Sequence, residues 1–359
     1  MIRHSIIVSF FIGFIGLSQP ILAQSTNNEW IAPQDLEQSI LKINSKPLAA
    51  KTDKERIESA YAIQDALYEG LQNPASFNYP FDSLKYSTIA IASAKDAPLR
   101  IFTFNAILLN GKFIHLGVIQ KKEKKKVKTL MMVDTLETVS KDVEDETLTL
   151  SQWVGALYYQ MVPQKFKGKE LFLLMGFDGH NNTSNRSILD VLYFEDGEAL
   201  FGYPLFRESE EDPSPSNRVV FEYHKSAQMV LRYQPEEKVI VTDELAPAYE
   251  KVKGVRAYYI PTGDYLGYSF TGKTWVKKPL GEMNFGQDPK KIDKDKLPLP
   301  EDLQNSPTKT GDQEAKPEKS PETKPEKKEA KSSKPEPKPK KKSKSDDDDD
   351  DDDDDEDDD

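Results

Sequence analysis

From about Leu84 to Lys277 the apolar residues recur at every second position, in short runs broken by Gly, Asn and Pro. A period of two suits a half-buried strand and does not suit a helix. Residues 88–93, 100–109, 112–121 and 127–135 read as four strands. Asn110-Gly111 falls between the second and third, and both residues tolerate the positive φ of a tight hairpin. Strands at 171–176 and 188–194 flank a loop, 177–187. Residues 218–223, 228–233 and 238–243 read as a tight meander. Strands at 258–261, 265–271 and 273–277 close the set, with turns at Gly263-Asp264 and Thr271-Gly272. The stretch 151–161 (SQWVGALYYQM) fits a helix or a strand. The expected class is mainly β: an antiparallel meander, sandwich-, barrel- or propeller-like. Strands do not alternate with helices, which argues against a doubly wound α/β fold. No clean repeat of about 40 residues fixes a propeller.

Two amphipathic helices precede the strands and are expected to pack on the sheet. Leu36, Ile40 and Ile43 recur at helical spacing in 33–44, where Pro33 suits the first turn. Ile57, Ala60, Ile63, Leu67 and Leu71 mark one face of 53–72; Thr52 or Asp53 caps its start and Asn73-Pro74 stops it.

Both ends read as non-globular. Arg3, the apolar run 6–17 (IIVSFFIGFIGL) and the small Ala23 have the layout of a secretory signal, residues 1–23. A helix over that run rises about 18 Å, short of a hydrocarbon core of about 30 Å. The expected mature chain has no transmembrane segment and is exported to the periplasm, the cell surface or beyond. The globular domain is expected over 24–286. After Leu303 apolar residues nearly vanish and Lys-Pro-Glu recurs at Lys316, Lys324 and Lys334. Such a segment cannot offset its ordering entropy by burial, so 287–345 is expected to be a disordered, semi-rigid linker.

Charge is segregated in the same way. Residues 290–345 hold 17 Lys against 11 Asp or Glu, and all 14 residues of 346–359 are acidic. The net charge of −12 therefore describes the tail, and the near-neutral body gives no field that favours nucleic acid. Fourteen adjacent carboxylates attract cations, Ca²⁺ among them, or a basic protein partner, or serve only as a solubilising end. Residues 121–126 (KKEKKK) read as a solvated hairpin tip, with polyanion binding as the alternative. Cysteine is absent, which excludes disulfides, an acylated N-terminal Cys and thiolate zinc sites.

Chemistry-bearing residues are sparse. In 176–186 (GFDGHNNTSNR), Asp178, His180, Asn181 and Asn182 are the candidate ligand-binding residues, since carboxylate, imidazole and amide groups crowd one loop. The spacing is not that of an EF-hand, and the same residue types favour any strand-to-strand loop. Asn181-x-Thr183 and Asn182-x-Ser184 also match a glycosylation sequon. His115, His180 and His224 show no metal-binding spacing, and no Gly-x-Ser-x-Gly elbow occurs. Neither a metal nor a cofactor is expected, and no catalytic residue is assigned. Asp178, Asp190, Glu222, Asp243 and Glu244 near strand ends leave room for a glycosidase-type carboxylate pair. Trp153, Trp275 and Tyr158, Tyr159, Tyr258, Tyr259, Tyr265 and Tyr268 suit either sugar stacking or core packing.

The phrases WVGALYY, GFDGHNNTSNRSILDVLYF and FGYPLF, continued by RVVFEY and LRY, resemble exported bacterial proteins of uncharacterised function. The resemblance covers roughly residues 85–280. It implies export and a β-rich fold, and brings no activity with it. The expected role is non-catalytic binding or scaffolding at the cell envelope. The alternatives are a hydrolase acting on an envelope or imported polymer, and low-affinity Ca²⁺ binding by the tail.

Overall fold

α1 (Pro33–Asn44) and α2 (Asp53–Gly70) form where the 3.6-residue period places them. Thr52 caps α2: its hydroxyl accepts the Glu55 amide while the Glu55 carboxylate accepts the Thr52 amide, a reciprocal capping box. These observations come from a computed structural model, which describes residues 30–46, 50–124, 126–133 and 143–280. The expected signal peptide (1–23), linker (287–345) and acidic tail (346–359) lie outside the described residues.

The first sheet runs β1 (Ala90–Ser93), β2 (Leu99–Ile107), β3 (Phe113–Glu123) and β4 (Lys126–Val133) in chain order, all antiparallel. The chain then makes β5 (Leu148–Thr149), β6 (Leu157–Phe166), β7 (Lys169–Asp178), β8 (Ser184–Glu195) and β9 (Glu198–Phe201), ordered β5-β9-β8-β7-β6. β10 (Phe206–Arg207) leaves for the third sheet, and β11 (Val219–His224) returns to pair with the N-terminal half of β8. With β12 (Leu231–Gln234), β13 (Val239–Pro247), β14 (Tyr259–Phe270) and β15 (Trp275–Pro279), the third sheet has the order β10-β15-β14-β13-β12.

Alternation along the strands stacks these parts in four layers. Phe102, Phe104, Leu116 and Val118 of the first sheet pack under Leu36, Ile40, Ile63 and Leu67 of the helices. Their neighbours Leu99, Ile101 and Ile119 point the other way, onto Phe172, Leu174, Ile188 and Leu192 of the second sheet. Leu171, Leu173, Met175, Leu189 and Val191 then cover Leu231, Ile240, Tyr268 and Trp275 of the third. The second sheet is thus buried on both faces, which is why β7 reads LFLLM without a polar residue. The molecule is mainly β, as expected, with two helices packed outside three stacked sheets. Among the described residues no helix is long and apolar enough to cross a membrane.

Three expectations are corrected. β11 does not belong to a meander with β12 and β13, because its partner is β8 of another sheet. Gly263-Asp264 is not a chain reversal: β14 is one strand, and Thr262, Gly263 and Asp264 bulge out of it opposite Glu244 before pairing with β13 resumes. Residues 151–161 are not one element, and strand begins only at Leu157.

Two devices hold the layers. β6 has a register shift between Tyr158 and Gln160, so Tyr158 is buried in the core while Tyr159 and Gln160 both reach β12. Tyr159 donates its hydroxyl to the Leu231 carbonyl at 2.7 Å. Gln160 accepts the Tyr233 amide at 2.8 Å and donates to the Tyr233 carbonyl at 3.2 Å. An edge strand's free backbone groups are thereby occupied. Elsewhere Arg218, fully buried, donates to Asp190 Oδ1 at 3.1 Å and to the carbonyls of Val143, Glu146 and Phe201. Tyr158 donates to the other Asp190 oxygen at 3.0 Å.

Candidate functional site

The loop after β7 is shaped by its own side chains. Asp178 Oδ1 accepts the His180 amide at 2.7 Å, an Asx-type closure that holds His180 at φ 48°. Asn181 Oδ1 accepts the amides of Thr183 and Ser184 at 2.7 and 2.8 Å. Gly179 lies flat on the Phe113 ring, where a Cβ would overlap it. Asn182 donates to the Asn110 carbonyl at 3.2 Å and rests against Gly111. Lys225 donates to the Gly179 carbonyl at 2.7 Å. The loop is therefore seated on the β2–β3 hairpin on one side and on the end of β11 on the other.

Beneath it, two histidines converge on one carboxylate. Asp178 is 2% exposed. His115 Nε2 lies 3.4 Å from its Oδ1, and His180 Nδ1 lies 3.6 Å from its Oδ2. The far nitrogen of His180 is 3.9 Å from Glu222 Oε1. The ladder explains the spacing: Asp178 opposes Arg186, and Arg186 opposes Glu222. The two carboxylates therefore sit in one row, two strands apart, with the imidazole bridging them. Glu222 also accepts the Ser184 hydroxyl at 2.6 Å and faces Arg186 at 3.5 Å. Burial is the largest single influence on Asp178 and would raise its pKa. The hydrogen bonds from His180 and the charges of His115 and His180 together outweigh it, so the carboxyl lies below its ordinary value.

The structure thus joins Asp178 and His180 of the expected set. It gives Asn181 and Asn182 the task of fixing the loop. His115 and Glu222 complete the cluster. The sequence offers Glu222 as a strand-end carboxylate and His115 as a strand histidine, but does not join them to Asp178, because strand pairing brings them in from far along the chain. The one available signal was alternation, which puts His115 on the same face of β3 as the buried Ile119. His224 stands apart, with Nδ1 2.8 Å from Ser226 Oγ and a pKa lowered by burial.

An imidazole between two carboxylates can hold or pass a proton. Ser184, the hydroxyl beside it, is fully buried and donates a hydrogen bond to Glu222 at 2.6 Å. Among the described residues, no group of three or more His, Asp or Glu is arranged to hold a metal ion. The other carboxylates are engaged as well. Asp190 is tied to Arg218 and Tyr158. Asp243 accepts the Val230 amide at 2.6 Å, and Glu244 accepts the Thr262 hydroxyl at 3.2 Å. Asp190 opposes Leu174, four residues up β7 from Asp178, or about 13 Å along the strand. That exceeds the roughly 5–9.5 Å at which paired carboxyls cleave glycosides. Trp153, Tyr158, Tyr268 and Trp275 are core residues rather than exposed platforms. A scan against family models finds no matching family, and searches of curated proteins and of solved structures return no match.

Proposed function

We propose that this chain is an exported, non-catalytic binding or scaffold protein of the cell envelope. One observation carries the reading: each of the five carboxylates that would serve a hydrolase is engaged by a partner within the fold. A hydrolytic site needs a carboxyl or nucleophile open to substrate at defined separation, and the Asp178–His180–Glu222 row is instead a latch for the β7–β8 loop. Export follows from the charged, apolar and small-residue layout of residues 1–23.

The test is a crosslinked pull-down from the native host, comparing the full chain with one ending at residue 287, with the mass of the mature protein read alongside. Specific partners and cleavage near Ala23 are expected. Recovery of no partner by either form, together with turnover of an envelope polymer that Asp178→Asn abolishes, would sink the reading in favour of a hydrolase.

A further inference from the structure

The β3–β4 hairpin carries Lys at 121, 122, 124, 126 and 128, with Glu123 the only acid among these described residues. The register sets Lys121 opposite Lys128 and Glu123 opposite Lys126, so these four residues share one face. Like charges directly opposite each other weaken a ladder. Lys121 is partly accommodated, 4.0 Å from the Phe194 ring centre and 3.4 Å from Glu123. Lys126 and Lys128 are exposed on β4, the outer strand of its sheet.

Beyond its pairing with β3, the β4 backbone makes two hydrogen bonds among the described residues, both at its far end. The Val133 amide donates to Leu150, and the Met132 carbonyl accepts from Gln64. A groove of ≈ 280 Å³ lies against that end, lined by Met131, Val133, Leu150, Glu198, Ala199 and Leu200.

Lysines on an edge strand keep two copies of that edge apart. The same charges select a strand of opposite sign. We propose that the outer edge of β4 docks an extended acidic peptide segment of a protein partner by strand addition. Carboxylates at alternate positions of the peptide meet Lys126 and Lys128, whose two-residue spacing is about 6.6 Å on either strand. An apolar residue of the peptide then enters the groove beside Met131 and Leu200. Glu198 in the groove repels a carboxylate there, which directs the acidic end to the hairpin tip. No apolar side chain lies between 121 and 126 to enter a bilayer. The inference rests on the binding reading above and names its surface.

The experiment measures fluorescence anisotropy of a labelled peptide in which Glu alternates with Thr, ending in Val-Leu-Val, titrated with the full chain. Saturable binding is expected, weakened about tenfold or more by K126E/K128E and to a similar extent by N-methylation of alternate peptide amides. A thermal melt like the parent's checks that the variant is folded. Equal binding of the N-methylated peptide, or of the variant, overturns the proposal. So does retention of inorganic polyphosphate or phosphatidylglycerol vesicles without retention of the peptide. If the peptide fails while the native-host pull-down yields partners, the docking edge is wrong and the binding reading stands. If both fail, neither stands.

Discussion

Gln160 meets the backbone of Tyr233 twice, accepting its amide at 2.8 Å and donating to its carbonyl at 3.2 Å. A side chain of the second sheet thus takes the place of a neighbouring strand along the edge of the third. Gln160→Ala removes both bonds and opens that edge. A loss of about 1–3 kcal/mol is expected, read by urea denaturation, with sedimentation showing concentration-dependent association that the parent lacks.

Arg218 and Asp190 are both fully buried, so each leaves an uncompensated group when the other is removed. Arg218→Met is expected to cost about 3–5 kcal/mol, measured by chemical denaturation. Adding Asp190→Leu should recover part of that loss, because the stranded carboxylate goes with it. A double variant no better than Arg218→Met would assign the cost to the carbonyls of Val143, Glu146 and Phe201 instead.

Asp178 titrates below its ordinary 3.8. A depressed folded-state pKa stabilises fully at pH well above 3.8, and that contribution disappears as pH falls through the folded value. The parent should therefore lose stability below about pH 4 more steeply than Asp178→Asn, although the variant is weaker at pH 7. Thermal melts across pH 2.5 to 7 give the comparison; parallel curves would remove the latch from the account of acid sensitivity.

Asp243 is the opposite case. Burial raises its pKa above 3.8 against the opposing Val230 amide, and its Oδ1 has no hydrogen-bond partner among the described residues. Its carboxyl therefore costs stability as pH rises from the unfolded value through the folded one. Asp243→Asn keeps an acceptor for Val230 and is expected to raise the melting temperature at pH 7 while changing little at pH 3. An unchanged melt at pH 7 would argue against the raised value.

Local chemistry made much of this fold legible. Thr52 with Glu55, and Pro33 at a first turn, mark helix starts that need no tertiary help. Asn110-Gly111 marks the hairpin that later seats the site loop. Pairing between distant strands leaves no such mark. β11 and β12 are separated by a few residues yet lie in different sheets, β11 on the N-terminal half of β8 and β12 on β13. The Gly263-Asp264 dipeptide has turn chemistry, and β14 uses it for a bulge opposite Glu244 rather than for a chain reversal. The candidate site follows the same division. Asp178 and His180 stand out as loop residues two apart, whereas His115 arrives from another sheet and Glu222 from another strand.

The burial of the second sheet on both faces has a consequence for folding kinetics. Neither flank can be removed without stripping cover from β7 and β8, so no smaller portion forms a complete core. β9 pairs with β8 across the local Asp196-Gly197 hairpin, but the N-terminal half of β8 must wait for β11, which follows only after the chain has visited the third sheet. Such non-local closure slows folding. Until it finishes, the LFLLM segment is open to other chains, so a chain crossing a membrane unfolded would depend on a holdase until β11 is released.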